Sequence, residues 1–323
     1  MMQEVIKSNA VIPPHPDAEE LNPSRGVDFS KMERSLLRPR TFLSLLLSGI
    51  ITAMTLLAMI PLFSVLGLLL WRGGRKLSVA ALTQLPPAPL EQNGGFGNAI
   101  LGTLVIVALA ALISVPIGIL SAIFLAQSKS DNRLASSVRF AGKVLTGFPS
   151  ILAGVFAYGA VVTVTGGYSA IAGAVALSIL MLPTILLTPE DAIRMVPSGM
   201  KKAAIGMGAT DTQVVWMVLL PTAVPGILTG VMLAVARGAG ETAPLLFTSL
   251  FSNYWLIWHG HVKLMQPTAS LAVLIYNFAG MPFANQVELA WAAALVLVLM
   301  VLTANLIGQS LSRKQVGSGQ RAD

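Results

Sequence analysis

The sequence predicts an all-α membrane protein with six transmembrane helices, and three observations support that prediction. Of its 323 residues, 54% are hydrophobic and only 11% are charged, against about a quarter charged in an ordinary soluble domain. Mean hydropathy is +0.75, and the 29 Gly and 19 Pro are better tolerated in membrane helices than in soluble ones. Several uncharged runs exceed the roughly 20 residues that cross a bilayer. A water-soluble enzyme is therefore excluded.

The chain begins with a polar segment that is followed by two long apolar runs. Residues 1–40 carry scattered charge and several prolines without an apolar stripe, which predicts a cytoplasmic tail that is disordered. Residues 43–71 and 99–126 contain no ionisable side chain, and each predicts one span with an internal proline. The first run starts too late and is too long for a cleaved signal peptide, so it is predicted to remain as an anchor.

The remaining spans follow from three further apolar runs. Residues 144–187 are uncharged and too long for one helix, and the polar and glycine residues at 165–168 predict a tight turn between spans three and four. Residues 223–250 predict span five and residues 289–312 predict span six. The six-span domain therefore covers residues 41–312, with a cytoplasmic loop at 189–222, and residues 313–323 form a second cytoplasmic tail.

The positions of Lys and Arg predict the orientation of these spans. Sixteen of the 21 lie on the side of the two termini, and the other side has four, which are Arg72, Arg75, Lys76 and Lys263. By the positive-inside bias, both termini are predicted to be cytoplasmic. The net charge of +7 is then explained by cytoplasmic loops, and nucleic acid is not expected as a partner.

Several kinds of chemistry have no basis in this sequence. It contains no Cys, which excludes disulfides, thiolate metal sites and a cysteine nucleophile. It lacks the Gly-rich motif with Lys and Ser or Thr that cradles ATP phosphates, and it offers no plausible catalytic triad. We therefore expect no catalytic residues, no metal site and no cofactor bound by this chain, which is predicted not to be an enzyme.

The cytoplasmic loop is patterned as two short helices. Pro197 and Ser198 offer a helix start, and Gly206 and Gly208 interrupt the helix. The sequence from Thr210 to Gln213 then matches a capping box, and Pro221 is predicted to close the second helix. Taken alone, two helices joined at glycines are more often a re-entrant or interfacial segment.

The same loop resembles that of the permeases of ATP-binding-cassette (ABC) importers. Their pattern is Glu-Ala-Ala, three residues, Gly, nine residues, Ile, one residue and Leu-Pro. This chain matches the spacing throughout with Lys202, Ala203, Ala204, Gly208, Val218, Leu220 and Pro221. Lys202 replaces the acidic residue of the family and reverses its charge. The resemblance implies that this loop docks on an ATPase.

Further motifs narrow the resemblance to phosphate-specific permeases, and among them to the PstA type rather than the PstC type. They lie at residues 148–151, 181–183, 194–197, 240–245 and 273–277. The resemblance implies a type I importer permease in the bacterial inner membrane that forms half of a phosphate path. It also implies three kinds of partner besides membrane lipid: a PstC-type permease, a dimer of PstB-type ATP-binding subunits that use ATP and Mg²⁺, and an external PstS-type phosphate-binding protein.

Arg237 and Glu241 are the only charges inside the predicted spans, and buried charges in membranes favour a functional role. Helical geometry predicts that they share one face of span five with Gly230 and Ala234, which leaves room beside the guanidinium. We expect Arg237 to meet phosphate, although a pair that only neutralises itself and fixes packing is the alternative. Polarity adds weaker candidates for the path, which are Ser150, Thr242, Asn277 and Thr146.

Three other functions are alternatives to the phosphate permease. A permease for another oxyanion, such as sulfate or molybdate, would differ in which anion stimulates ATP hydrolysis. A stand-alone secondary transporter or channel would have inverted repeats or broken helices around its site, would have no docking loop and would work without an ATPase. A membrane-embedded enzyme is disfavoured because no nucleophile with a base is present.

Overall fold

A computed structural model describes residues 39–128, 131–258 and 261–319. The predicted polar tail, residues 1–40, lies almost wholly outside this part of the chain. The chain divides into two compact units, Met1–Phe63 and Ser64–Asp323.

The described chain is predominantly helical. In chain order its helices are α1 (Pro39–Leu68), α2 (Val79–Thr83), α3 (Gly97–Gln127), α4 (Arg133–Thr146), α5 (Ser150–Ala157), α6 (Ala170–Arg194), α7 (Ser198–Gly206), α8 (Asp211–Val214), α9 (Leu220–Gly240), α10 (Ala243–Leu246), α11 (Leu271–Ala279) and α12 (Ala284–Gly319). Segments of π-helix continue α1 (Leu69–Gly73), continue α5 (Tyr158–Val162) and join α8 to α9 (Val215–Leu219). A single helical turn follows each of the first two π-helical segments, at Gly74–Lys76 and at Thr163–Thr165. The strand β1 (Ile257–Trp258) pairs antiparallel with β2 (His261–Val262).

Five stretches of the described chain are long and apolar enough to cross a membrane. They are Phe42–Lys76, Gly97–Gln127, Ala170–Arg194, Asp211–Gly240 and Ala284–Ser310. A sixth span is present if α4 and the helix from Ser150 to Thr165, which meet at a bend of 108°, are counted together. The all-α fold with six predicted spans is confirmed in this sense.

The third span differs from its predicted bounds. Residues 144–146 belong to α4, which carries Arg133, Arg139 and Lys143, and the apolar helix begins only at Ser150. Pro149 separates the two helices, because a proline has no N–H to donate and disfavours helical backbone at the residue before it. The charged helix thus lies at a sharp angle to the apolar one.

The turn between spans three and four is confirmed. Gly166 adopts a left-handed conformation with φ of +76°, which only glycine adopts at no steric cost. The Ser169 side chain then accepts a hydrogen bond of 3.1 Å from the Ala172 N–H and caps α6.

Helix α6 packs against α3 and α9 through small residues in the second unit. A Cβ at Gly118 would lie 2.6 Å from the Ile185 side chain, and one at Gly226 would lie 2.4 Å from Ala192. Since lipid supplies no hydrophobic driving force, such close approach of backbones is how membrane helices gain their packing energy. These contacts fix the inner faces of α3 and α9 against α6.

The segment after α9 folds back onto the ends of α3 and α6. The Ser169 N–H donates to the Thr248 carbonyl oxygen at 3.0 Å, and the Thr268 N–H donates to the Ser249 carbonyl oxygen at 2.9 Å. The Leu271 N–H donates to the Thr103 hydroxyl oxygen at 2.8 Å. The segment is therefore tied to the start of α6 through Thr248, and its end is tied to α3 through Leu271.

Candidate functional site

Span five is interrupted where the sequence predicted a continuous helix. The helix starts at Asp211 and ends at Gly240, so both predicted ends, 223 and 250, were wrong. Glu241 has extended backbone with ψ of 128°, and a separate short helix, α10, follows. Its first residues include Pro244, which cannot supply a helical N–H. The chain therefore has a helix break at residues 241–242, and Glu241 lies just beyond the helix that carries Arg237.

Arg237 and Glu241 form a long ion pair beside this break. The Arg237 Nε lies 3.5 Å from the Glu241 Oε1, and the two side chains are 38% and 18% exposed. Within the described residues, no other acceptor bonds to the Arg237 guanidinium. Arginine carries five N–H donors, so most of its donors are free to bind an anion. A cation in the last turn is also favoured by the helix dipole.

The small residues near Arg237 serve helix packing and do not make room for the guanidinium as predicted. A Cβ at Gly230 would lie 3.0 Å from Pro189 and Thr188 of α6, and Ala234 is fully buried. Gly238 approaches Met181 of α6 in the same way. Arg237 lies at the edge of this buried stripe and is on its exposed side.

Two of the weaker path candidates lie near the break. A Cβ at Gly154 of α5 would be 2.6 Å from the Pro244 Cα, so α5 and α10 are in backbone contact. Ser150 lies one turn before Gly154 on the same side of α5, and Thr242 lies two residues before Pro244. Both are half-buried, and neither hydroxyl has a hydrogen-bond partner in the described part of the chain. Both are therefore available to a ligand.

Asn277 and Thr146 are not brought to the break by any described contact. Asn277 lies on α11, whose residue Val273 shares a buried cluster with Leu245 and Ala234, but Asn277 lies one turn further along. The Thr146 hydroxyl donates to the Gly142 carbonyl oxygen at 3.0 Å and is satisfied within α4. The structure thus places Arg237, Glu241 and Thr242 at the break and Ser150 one turn from the contact between α5 and α10, whereas no described contact brings the other two candidates there.

The cytoplasmic loop has the predicted helix, turn and helix. Gly208 adopts φ of +88°, and its N–H donates to the Ile205 carbonyl oxygen while the Ala209 N–H donates to the Ala204 carbonyl oxygen. This pair of hydrogen bonds is a Schellman motif, which ends a helix with a left-handed residue. The capping box is also present, with the Thr210 hydroxyl and the Gln213 side chain accepting reciprocal backbone bonds.

Pro221 does not close the second loop helix, contrary to the prediction. α8 continues through the π-helical segment Val215–Leu219 into α9, and Pro221 lies in the first turn of α9. Pro221 has no backbone N–H. It follows a π-helical turn, in which the backbone hydrogen bonds join residues five apart and not four apart, so its missing donor falls where the α-helical ladder is already interrupted. The loop is thus joined to the span that carries Arg237 by one continuous helix.

The loop presents both polar and apolar groups at its surface. Ala204 is buried against α6 and α9, whereas Lys202, Ala203 and Gly208 are exposed. Leu220 packs partly on the same buried cluster and Pro221 is exposed. Around them lie large apolar side chains that are also exposed: Met195, Met200, Ile205, Met207, Trp216 and Met217. An exposed apolar patch of this kind is typical of a protein interface.

A second charged cluster was missed because span four was predicted to end at Leu187. α6 continues through Pro189 to Arg194, and Glu190 is only 3% exposed. The Glu190 Oε1 accepts bonds from the Arg139 Nη2 at 2.7 Å and lies 3.0 Å from the Arg194 Nε. The spacing of four residues between Glu190 and Arg194 was the available sequence signal.

Comparison with known proteins identifies the family. Residues 114–316 match the family model described as binding-protein-dependent transport system inner membrane component. The phosphate transport system permease protein PstA of Haemophilus influenzae is 41% identical over 74% of this chain and 82% of its own length. The PstA protein of Yersinia pestis is 38% identical over 74% of this chain and 79% of its own.

Solved structures of ABC importers share the fold. An inward-facing form of the MetNI methionine transporter covers 68% of this chain and 94% of its own, with a TM-score of 0.54 and 20% identity. A bacterial alginate transporter in complex with an alginate-bound periplasmic protein covers 87% of this chain and 98% of its own, with a TM-score of 0.60 and 16% identity. From the family model and these relatives, the chain belongs to the inner membrane components of binding-protein-dependent transport systems and, within them, to the PstA phosphate permeases.

Proposed function

We propose that this chain translocates inorganic phosphate as one permease subunit of an ATP-driven importer. It is a multi-pass inner membrane protein of a family whose members work within ABC transporters with partner subunits, and it is not itself an enzyme. The observation that supports the role of the site is the Arg237 guanidinium, which lies beside a helix break with only one long bond to Glu241. Its planar array of donors suits two-point contact with a phosphate oxygen pair.

The exposed side of α9 is the proposed path. Arg237 supplies attraction for the anion, and the free hydroxyls of Ser150 and Thr242 add hydrogen bonds at the same break. Because Arg237 lies at the exposed edge of the stripe that packs on α6, we expect the groups that complete the path to come from a second permease of the PstC type. Asn277 stays a weaker candidate for a more distant part of the path.

Glu241 is proposed to favour phosphate over sulfate. At neutral pH phosphate still carries a proton and can donate a hydrogen bond to a carboxylate, whereas sulfate carries none and is repelled. An unfavourable contact with the wrong ligand is a general source of specificity. A permease for another oxyanion remains the alternative, and it predicts that sulfate or molybdate stimulates transport instead.

The cytoplasmic loop is proposed to couple this path to ATP hydrolysis. Its exposed apolar side chains and the family pattern from Lys202 to Pro221 favour docking on a dimer of PstB-type subunits, which would use ATP and Mg²⁺. Since α8 and α9 form one helix with the π-helical segment, a displacement of the loop would reach Arg237 directly. An external PstS-type protein would deliver phosphate, and both termini would be cytoplasmic.

The test is to reconstitute the chain with its second permease, its ATPase and its binding protein in liposomes. Phosphate is expected to stimulate ATP hydrolysis and to enter the liposomes only when ATP is present. Stimulation by sulfate or molybdate in place of phosphate would support the oxyanion alternative. Uptake by the chain without the ATPase would support a stand-alone transporter, which the helix break by itself would also fit.

A further inference from the structure

The end of the first span and the start of α12 enclose a basic pocket that the transport function does not use. Its volume is about 580 Å³, and it is lined by Trp71, Arg72, Arg75, Lys76, Val287, Glu288 and Trp291. Gly73 packs so closely on α12 that a Cβ there would lie 2.6 Å from the Trp291 carbonyl oxygen. The two walls of the pocket are therefore held together by backbone contact.

The pocket carries more positive than negative charge. Lys76 is paired, with its Nζ 3.3 Å from the Glu288 Oε2. The guanidinium carbon of Arg72 lies 5.7 Å from the Trp291 ring centroid, and that of Arg75 lies 5.8 Å from the Trp71 ring centroid. Among the described residues, no carboxylate forms an ion pair with either arginine. Both guanidinium groups are thus oriented by aromatic rings and have free donors.

The location of these charges runs against the general charge distribution of the chain. They are three of the four basic residues on the side predicted to be external, where Lys and Arg are disfavoured by the positive-inside bias. Tryptophans are typical of the headgroup level of a bilayer, and Trp71 is 68% exposed. The neighbouring Leu70 is 58% exposed and suits contact with acyl chains.

We propose that this pocket binds the phosphate headgroup of an anionic phospholipid of the phosphatidylglycerol class. Arginine donors match phosphate oxygens in two-point contacts, and a basic pocket between helices at the headgroup level suits the anionic headgroup of a lipid. Inorganic phosphate shares this chemistry, but the two tryptophans and the apolar rim favour a ligand with acyl chains. The lipid joins the end of the first span to α12 on the face opposite to the ATPase.

The test is native mass spectrometry of the whole importer titrated with phosphatidylglycerol or phosphatidylcholine. The variant Arg72→Gln with Arg75→Gln is expected to bind phosphatidylglycerol about tenfold more weakly, because it loses charge-assisted hydrogen bonds. Lys263→Gln removes one charge from the same side outside the pocket and is the matched control, expected to bind as the unaltered protein does. Arg72→Lys keeps the charge but loses the planar donors, and it is expected to weaken binding even if the double variant fails to assemble.

Three results would overturn the proposal. The first is equal binding of the two lipids by the unaltered protein. The second is unchanged phosphatidylglycerol binding by the arginine variants. The third is displacement of the lipid by millimolar inorganic phosphate, which would assign the pocket to free phosphate. None of these outcomes depends on phosphate transport, so they are distinguishable from a failure of the proposed transport function.

Discussion

The Glu190 cluster and the Arg237–Glu241 pair, both in the second unit, differ in geometry. Glu190 is nearly inaccessible, and two arginines approach its Oε1 to within 3.0 Å. Arg237 and Glu241 are partly exposed and are 3.5 Å apart at their closest atoms. A saturated buried cluster is suited to holding helices together, whereas a loose pair with free donors is suited to exchanging partners with an anion.

Variants of Arg237 and Glu241 separate a translocation role from a purely structural one. Arg237→Gln is expected to lose phosphate uptake, since it removes the attraction for the anion. Glu241→Gln is expected to keep some phosphate uptake and to admit sulfate. The charge swap, Arg237→Glu with Glu241→Arg, is expected to insert normally and not to transport. Uptake of labelled phosphate and sulfate at matched membrane levels measures all three.

The swap decides between the two interpretations of this pair. If the pair only neutralised itself, the exchanged charges would still attract one another and transport would return. An active swapped protein would therefore rule out the translocation role of Arg237. The variant Lys202→Glu, which restores the acidic residue of the family at an exposed position, serves as a control that changes charge and is expected to remain active.

The Glu190 cluster is expected to contribute to stability and not to selectivity. Glu190→Gln leaves the guanidinium groups of Arg139 and Arg194, which are 27% and 46% exposed, without their anionic partner, and the loss of charge-assisted hydrogen bonds costs about 1–3 kcal/mol. The thermal midpoint of the purified complex should fall, while the ratio of phosphate to sulfate uptake stays unchanged. Asp131→Asn, which removes an exposed carboxylate just before α4, is the matched control. An altered anion ratio in Glu190→Gln would contradict this assignment.

At the level of elements, two glycines set the geometry that the proposed function uses. Gly208 holds the left-handed turn between α7 and α8, and Gly154 allows α5 to touch the backbone of Pro244. The first determines the shape of the docking loop. The second determines how closely α5 approaches the helix break.

Gly208→Val is expected to uncouple ATP hydrolysis from transport. A left-handed conformation costs a residue with a Cβ about 1–2 kcal/mol, and more for a β-branched side chain, so the turn should rearrange. Gly206→Val is the control, because Gly206 ends α7 without a left-handed φ and has open space around it. Phosphate-stimulated ATP hydrolysis should fall in the first variant and persist in the second. Equal activity of the two would show that the turn does not matter for coupling.

Gly154→Val is expected to impair phosphate uptake without altering any charge. The added side chain would meet the Pro244 backbone at 2.6 Å, and overpacking of this kind costs about 1–3 kcal/mol. α5 and the break should therefore separate. Gly159→Val, with nothing within 4 Å of its Cβ position, is the matched control. Uptake and membrane level are measured for both, and normal uptake by Gly154→Val would argue against a path beside α5.

For the whole molecule, the six spans and their charge distribution predict a topology with both termini cytoplasmic. Reporters active only in the cytoplasm should be active when fused after residue 195 or at the C-terminus, and inactive when fused near residue 85. This topology is expected because sixteen Lys and Arg residues lie on the side of the termini and only four lie on the other side, and basic residues favour the cytoplasmic side. Activity of the fusion near residue 85 would contradict both the six-span topology and the external position of the lipid pocket.

The sequence by itself determined the membrane class, the number of spans, the turn at Gly166 and the helix pair around Gly208, because hydropathy, charge bias, glycine and capping signals act locally. Only the tertiary structure decided that the break in span five lies against α5 and that Glu190 is buried. Each depends on distant partners: Pro244 meets Gly154, and Arg139 reaches Glu190 from another helix. Contacts between residues far apart in sequence leave no periodic pattern along the chain, so local signals cannot predict them.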